Sequence, residues 1–284
     1  MMTLLGEASN LKKLYLFLSL FGLCFLGACQ QEKPAQPASK EPTQEKATTP
    51  EKEKMTAQYM IDPETYLVWP IGDANPKVVL LTFDDVPRPL PESNAPKIAE
   101  ALAAEDVHAM FFVNGMYLDE ERGQKIVRDL AKAGHMIGNH TEGHADVTNL
   151  TEEELRWQIE TTDDKIKEAG GGETRFFRPP FGSSSEVMYQ LMDEKKMQPM
   201  NWTYGYDWEA EYEDPEALAD IMVNTPYLQP GANLLMHDTQ WTAQALPAII
   251  AGLKAKGYTI VNPWEIANVD ELAAWQEKNQ AAAQ

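Results

Sequence analysis

Two histidines four residues apart, His140 and His144, are the residues of this chain best suited to metal chemistry. An aspartate pair, Asp84 and Asp85, follows the apolar run 77–83 and could supply a carboxylate from a separate strand. Two imidazoles and one carboxylate form a three-ligand site that leaves positions open for water and substrate, as hydrolytic metals require. Adjacent carboxylates repel each other unless a cation shares them, so one could bind metal while the other acts as a base. Taken alone, these residues also fit hydrogen-bonded loop histidines and a turn or helix-capping aspartate pair.

Other polar groups stand at the ends of predicted strands. The stiff segment Arg178-Pro179-Pro180-Phe181-Gly182 could pair its cation with Asp84 and turn a backbone N–H toward an oxyanion, or it could be a tight turn with a surface arginine. The aromatic segment 202–208 suits a sugar ring, although such clusters also occur in protein cores. His237 ends an apolar run, where a histidine is usually a hydrogen-bonded core residue, and Asp146 could orient a metal ligand.

The elements that must position these groups alternate between apolar runs and amphipathic stretches, which favours a parallel α/β sheet or barrel. The predicted strands are 77–83, 109–113, 136–139, 175–178, 197–203, 233–237 and 258–261. The predicted helices are 95–105, 120–133, 151–168, 215–223 and 242–256. Because barrel enzymes carry their chemistry at the carboxyl ends of the strands, we expect the polar residues there to form one site.

The N-terminus has the pattern of a secretory signal. Lys12 and Lys13 precede the apolar run 14–28, which is too short for a membrane-spanning helix of about 20 residues. The run ends in Leu26-Gly27-Ala28-Cys29, which resembles a bacterial lipobox in which Cys29 carries lipid, and the alternative is a plain signal peptide. The polar residues that follow predict a disordered tether, so we expect an extracytoplasmic protein anchored by lipid to the bacterial cell membrane.

The chain is therefore divided into five segments. They are a lipoprotein signal peptide over 1–28, a lipid-anchored tether over 29–56, an extension packing on the domain over 57–76, a catalytic domain over 77–270 and a tail over 271–284.

Composition excludes several classes of function. A net charge of −20 argues against nucleic acid and anionic lipid as partners. Both cysteines, Cys24 and Cys29, lie in the N-terminal segment, which excludes a cysteine nucleophile and a cysteine-ligated zinc site in the mature domain. No Gly-x-Ser-x-Gly motif indicates a serine triad.

An ordered set of motifs over residues 77–266 resembles the polysaccharide deacetylases, the NodB-homology group also called carbohydrate esterase family 4. The motifs are Thr82-Phe83-Asp84-Asp85, His140-Thr141-x-x-His144, Arg178-x-Pro180-Phe181-Gly182, Asp207-Trp208 and Leu234-x-x-His237. The resemblance implies a distorted (β/α) barrel of that family's type. Two positions depart from the family pattern: Val86 replaces a usual glycine, and Tyr204 replaces the first acid of an Asp-x-x-Asp-Trp motif.

The resemblance also implies a role for each residue. The implied ligands of a divalent metal, commonly zinc, with cobalt or nickel as alternatives, are Asp85, His140 and His144. The implied catalytic residues are Asp84 as general base, His237 as general acid, Asp207 orienting His237 and Arg178 holding Asp84. The implied substrate-binding residues are Phe181, whose backbone N–H would stabilise the oxyanion, and Trp208 and Leu234, which would receive the acetyl methyl group.

The implied activity is metal-dependent hydrolysis of linear amides. The expected substrate is an acetylated polysaccharide of the cell envelope or its surroundings, peptidoglycan or chitin-like, from which N-acetyl groups of GlcNAc-type sugars are removed. The chemistry agrees, because amide hydrolysis needs an activated water, charge stabilisation and a proton donor. The alternatives are an acetyl-xylan O-deacetylase and a non-catalytic glycan-binding envelope protein on the same fold. We expect a monomer.

Overall fold

A computed structural model of the protein describes residues 57–88 and 92–282, with side chains described as far as residue 277. The predicted signal peptide, the tether and Cys29 lie outside the described residues. Among the helices that are described, none combines the length and the apolar character needed to cross a membrane.

The main sheet has 8 strands that pair in parallel and curl into an open half-barrel. In chain order they are β3 (Val78–Val86), β4 (Met110–Val113), β5 (Met136–Asn139), β6 (Phe176–Phe177), β7 (Gln198–Pro199), β8 (Tyr204–Gly205), β9 (Ala232–His237) and β10 (Thr259–Ile260). Their spatial order is β7-β6-β5-β4-β3-β9-β8, and β10 pairs with β3. The predicted distorted barrel is confirmed.

The remaining elements surround this sheet. Two short strands, β1 (Tyr59–Ile61) and β2 (Val68–Pro70), form an antiparallel pair. The helices are α1 (Ala95–Ala104), α2 (Glu121–Lys132), α3 (Glu152–Ala169), α4 (Glu186–Lys195), α5 (Pro215–Asn224), α6 (Gln240–Ala255) and α7 (Val269–Ala282). The expected domain boundary after residue 270 falls within α7.

Alternation along β3 divides the core into two layers. Val79, Leu81 and Phe83 pack in a cluster with apolar residues of the helices α1, α2, α5 and α6. Val78 and Leu80 point the other way, into a second cluster that β1 and β2 also enter. Because successive side chains of a strand alternate between faces, Thr82 and Asp84 follow Val78 and Leu80 into the half-barrel. The sheet thus carries Asp84 toward the barrel interior.

Most predicted elements lie within two residues of their observed positions. The predicted strand 136–139 is confirmed at both ends, and Thr151 and Glu154 make both hydrogen bonds of the capping box before α3. The predicted strand 197–203 was too long: only Gln198–Pro199 pairs in the sheet there. Helix α4 was not predicted.

Candidate active site

Three side chains converge at the carboxyl ends of β3 and β5. The Nε2 atoms of His140 and His144 lie 3.8 and 3.5 Å from the Oδ1 atom of Asp85. One ligand atom from each of the three residues lies within 4.8 Å of the others. Two imidazole nitrogens and one carboxylate oxygen are a donor set that fits a divalent transition metal. The described residues that could hold a metal are therefore the three predicted from the sequence.

The tautomer of His140 is fixed by its second nitrogen. Its Nδ1 atom lies 2.7 Å from the carbonyl oxygen of Arg178, so Nδ1 carries the proton and donates it. The Nε2 lone pair is left facing Asp85, as in metal sites where the other ring nitrogen orients the ligand. Burial lowers the pKa of His140, against the opposing charges of Asp84 and Asp85, which favours the neutral ring that a metal requires.

The backbone of the site is held in an unusual conformation. Four non-glycine residues here have left-handed backbone: Asp85, Thr141, His144 and Phe181, with φ of 59°, 68°, 54° and 60°. The pairing of β3 with β4 shifts register between Phe83 and Val86, as in a β-bulge. Bulges beside active sites redirect side chains, and this one turns the adjacent aspartates to different partners.

Asp84 is a buried carboxylate held by a buried cation. Its Oδ1 atom accepts a hydrogen bond of 2.8 Å from the Nη1 atom of Arg178, and its Oδ2 atom lies 3.7 Å from the Nε2 atom of His140. Arg178 is fully buried, donates to the Thr82 hydroxyl and to two carbonyl oxygens, and lies 4.3 Å from the ring centre of Phe112. Such a fixed pair keeps one carboxylate oxygen at a constant place beside the three side chains that could hold a metal.

His237 and Asp207 form a second coupled pair on the opposite wall. The Nδ1 atom of His237 lies 2.7 Å from Asp207 Oδ1, while Asp207 Oδ2 accepts from the backbone N–H of His237 and the hydroxyl of Thr242, each at 2.6 Å. Burial lowers the pKa of His237, but the hydrogen bond and charge of Asp207, with the charges of Asp84 and Asp85, outweigh it and raise the pKa above its ordinary value.

These groups share one cavity of about 370 Å³. Its lining residues are Asp84, Asp85, His140, His144, Phe181, Trp202, Trp208, Leu235 and His237. Trp208 meets the ring of His237 edge to face, with ring centres 5.6 Å apart, and Phe181 meets His144 in the same way at 4.7 Å. Phe181 is 70% exposed and Trp208 49% exposed, so both aromatic rings are open to a ligand.

The position of Leu234 differs from the one expected. It was expected to receive the acetyl methyl group, yet it pairs with Leu81 and is buried in the layer beneath the helices. Its neighbour Leu235 pairs with Thr82 on the interior face and lines the cavity. Because strand residues alternate between faces, the two leucines cannot both reach the site.

Three other expectations change. Val86, which stands at the usual glycine position, is buried within β3. The residue with left-handed backbone is its neighbour Asp85, so the β-branched side chain of Val86 is not forced into the left-handed conformation. Tyr204 is buried in the helix-side core, where its hydroxyl donates to the carbonyl oxygen of Met222. Asp146 makes no hydrogen bond to a histidine among the described residues; its Oδ1 atom accepts from the backbone and hydroxyl of Thr148.

The roles of the groups behind the site were not predicted. Thr82 and Thr242 hold Arg178 and Asp207, and their hydroxyls look like those of any strand or helix threonine. Glu142 lies within the histidine loop and pairs with Lys165 of α3, which also pairs with Asp119 at 2.6 Å. Thr82 precedes Asp84 by two residues, so strand alternation places both side chains on the same face. This was the one pattern that could have indicated Thr82.

Known proteins resemble this chain in sequence and in fold. A family model described as polysaccharide deacetylase matches residues 71–200. A peptidoglycan-N-acetylglucosamine deacetylase of Bacillus cereus is 32% identical over 196 residues, which cover 67% of this chain and 68% of that protein. The chain belongs to the polysaccharide deacetylase family.

Other relatives set limits on what membership of the polysaccharide deacetylase family means. An uncharacterized 30.6 kDa protein of Geobacillus stearothermophilus is 33% identical over 193 residues, covering 66% of this chain and 70% of that one. A crystal structure of a Bacillus anthracis pseudoenzyme of carbohydrate esterase family 4 matches with a TM-score of 0.58 and 30% identity, covering 66% of this chain and 63% of that chain. The family thus contains deacetylases and pseudoenzymes, so activity must be argued from this site.

Proposed function

We propose that this chain is a metal-dependent hydrolase that removes N-acetyl groups from GlcNAc-type sugars of a cell-envelope or extracellular polysaccharide. The observation that carries the proposal is one cavity holding the metal-ligand trio between a fixed carboxylate, Asp84, and a fixed imidazole, His237. An amide needs both a base for the attacking water and an acid for the leaving amine. The B. cereus relative named above is a peptidoglycan-N-acetylglucosamine deacetylase, which supports the same substrate class.

Asp85, His140 and His144 would hold the metal, with zinc the first expectation and cobalt or nickel as alternatives. A divalent metal in such a site polarises a carbonyl oxygen and makes water a stronger acid near neutral pH. The remaining roles in the reaction fall to other side chains of the protein. None of the ligands is a cysteine, so the site is suited to an oxidising compartment.

Asp84 is the general base in this proposal. Arg178 binds its Oδ1 atom, so its Oδ2 atom is free to take a proton from the attacking water.

His237 is the general acid. Asp207 holds its Nδ1 atom, which leaves Nε2 to deliver a proton to the nitrogen of the departing amine. The backbone N–H of Phe181, set by its left-handed conformation, is proposed to donate to the developing oxyanion, and Trp208 with Leu235 to enclose the acetyl methyl group.

We also propose that the chain is lipidated at Cys29 and faces the outside of the cell. The lipobox-like Leu26-Gly27-Ala28-Cys29 and the polar segment 29–56 support this. Inhibition of lipoprotein signal processing should then leave an unprocessed precursor. A soluble mature form that is unaffected by the inhibitor would contradict the anchor.

The activity is tested by acetate release in the presence of zinc, cobalt or nickel. The substrates are peptide-free peptidoglycan glycan strands, chito-oligomers and acetyl-xylan, which separate the N-deacetylase from the O-deacetylase. Absence of acetate from all three substrates with every metal would leave the glycan-binding alternative, which the pseudoenzyme relative keeps relevant.

Asp84→Asn tests the assignment of the base. We expect kcat to fall about a thousandfold while one metal ion still binds, because the general base is lost and the three ligands remain. Asp129→Asn is the matched control, since Asp129 pairs with Lys125 on the exposed surface of α2. Because Asp84→Asn leaves the buried Arg178 without its partner, the melting temperature must show a folded protein.

His237→Asn tests the assignment of the acid. It removes the general acid without leaving a buried cation unpaired, and it should also lower kcat.

A further inference from the structure

A groove leaves the active-site cavity past His237. The adjoining cavity, of about 270 Å³, has Asp85, Trp208 and His237 in common with the active-site cavity. A third cavity, of about 610 Å³, continues from it through shared walls formed by Arg88, Thr239 and Trp241. The joined spaces exceed what one sugar ring fills, so a polymer bound at the metal ligands would extend into them.

Arg88 lies at the junction of the last two cavities on a fixed backbone. Its N–H donates at 2.8 Å to Asp238, a buried carboxylate that also accepts from the hydroxyl of Ser93 and the N–H of Asn94. These donors use the oxygens of Asp238 to hold the loop. The oxygens of Asp238 are therefore occupied by hydrogen bonds within the protein, and its charge also interacts with that of Arg88.

Among the described residues, the Arg88 side chain forms no close ion pair. Within the described part of the chain, its guanidinium has no carboxylate within 4.0 Å and donates no side-chain hydrogen bond. Arg178, by contrast, is paired with Asp84. A half-buried guanidinium offers a planar fork of donors that matches a carboxylate in two parallel hydrogen bonds.

Trp241 supplies an aromatic face beside this cation. Its Nε1 atom donates to the carbonyl oxygen of Asp207 at 2.7 Å, which fixes the ring between the two outer cavities. Aromatic rings suit the apolar face of a sugar, while the guanidinium suits an acidic substituent. The exposed carboxylates of Glu92 and Glu213 and the ammonium group of Lys97 also border the groove, and Arg88 is the cation at the junction of the two outer cavities.

We infer that Arg88 binds a carboxylate on the sugar adjoining the one that is deacetylated. The preferred substrate is then an acidic N-acetylated glycan, in which GlcNAc alternates with a sugar bearing a carboxylate ether, over a neutral chitin-like polymer. This inference rests on the proposed function for its catalytic readout, although the binding site itself does not need turnover.

The test compares two forms of one substrate. Peptide-free GlcNAc–muramic acid strands are used with free carboxylates and, in a matched sample, with those carboxylates converted to methylamides. The wild-type protein should hydrolyse the charged strands with a kcat/KM about tenfold above that for the neutral strands, the effect of one charge-assisted pairing. Arg88→Gln should bring this ratio close to one. Lys125→Gln, on α2, is the control and should keep the wild-type ratio.

Binding separates this inference from the proposed function. Calorimetry with the same two strand samples should show the same ratio in dissociation constants and its loss in Arg88→Gln. If no acetate is released but the Arg88-dependent ratio in binding persists, the proposed function fails and the subsite stands. A wild-type ratio near one in both measurements, or an unchanged ratio in Arg88→Gln, would overturn the subsite even if acetate is released.

Discussion

Two histidine pairs lie at opposite ends of the same strands. His140 and His144 follow β5 at its carboxyl end, with ring centres 5.0 Å apart. His108 and His135 precede β4 and β5 at their amino ends, with ring centres 5.8 Å apart. Of the residues that the structure describes, only the first pair belongs to a group of three side chains able to share a metal. Closeness of two imidazoles is therefore not what makes the site.

The two buried rings also differ in tautomer. His140 donates from Nδ1 to a carbonyl oxygen, which leaves a lone pair on Nε2. The Nδ1 atom of His135 instead accepts the backbone N–H of Ala109 at 3.3 Å, so its proton is on Nε2, which has no hydrogen-bond partner among the described residues. Burial, with the neighbouring His108, lowers the pKa of His135 to about 4. One ring is prepared for a cation and the other stays a neutral core residue.

The largest effect should come from removing a ligand of the first pair. His140→Asn should weaken zinc or cobalt binding by about a thousandfold, more than the loss of a residue that only orients a ligand. His135→Asn should bind the metal as the wild-type protein does. Titration by calorimetry, or by the visible absorption of cobalt, measures both variants. Equal weakening in the two variants would remove the distinction between the pairs.

The second effect is on stability. His135 has a folded-state pKa of about 4 and an ordinary unfolded-state value near 6.5, so the unfolded chain binds the extra proton first as pH falls. Stability should therefore drop between pH 7 and pH 4, by about 3 kcal/mol from this residue. His135→Gln should remove that part of the pH dependence in urea unfolding, and His108→Gln should retain most of it. Parallel profiles for wild-type protein and His135→Gln would reject the assignment.

A third prediction concerns His237, the histidine with a raised pKa. Asp207→Asn removes the charge that overcomes burial, so the pKa of His237 should fall. Since the acid must be protonated, the alkaline limb of the kcat/KM profile should move to lower pH, and kcat at pH 8 should drop about a hundredfold. An alkaline limb that does not move would mean that another group sets it.

The smallest effect should come from the support of the first pair. Glu142 pairs with Lys165, and a Cβ added to Gly115 would lie 1.9 Å from its Oε2 atom, so the histidine loop is closely packed there. Glu142→Gln should weaken metal binding about tenfold, as for other residues that support ligands. Glu105→Gln, at an exposed pair with Lys254, should leave it unchanged. Unaltered metal affinity in Glu142→Gln would show that the loop holds without the ion pair.

The sequence predicted strands and helices best where one period dominates. β5 and the capped start of α3 were found because an apolar run or a capping box marks each. Leu234 was carried over from the family resemblance, whereas alternation along β9 back from His237 places Leu235 and Asn233 on the face of the site. Helix α4 was missed because its apolar pattern is weak and a serine cap is its main signal.

The convergence of the candidate site residues follows from chain order on a parallel sheet, but their conformations do not. The left-handed backbone at Thr141 and Phe181 occurs at residue types that seldom adopt it, and no glycine at Asp85 or His144 indicates it there. Long-range partners such as Lys165 for Glu142 depend on how α3 packs, which no local pattern specifies.

Thr141, between the ligands, shows what this backbone means for directed evolution. It is a buried β-branched residue at φ 68°, and its hydroxyl has no partner within the described chain. Folding alone disfavours each of these properties, by about 1 kcal/mol or more. A library selected only for heat resistance would tend to replace Thr141 with glycine or asparagine.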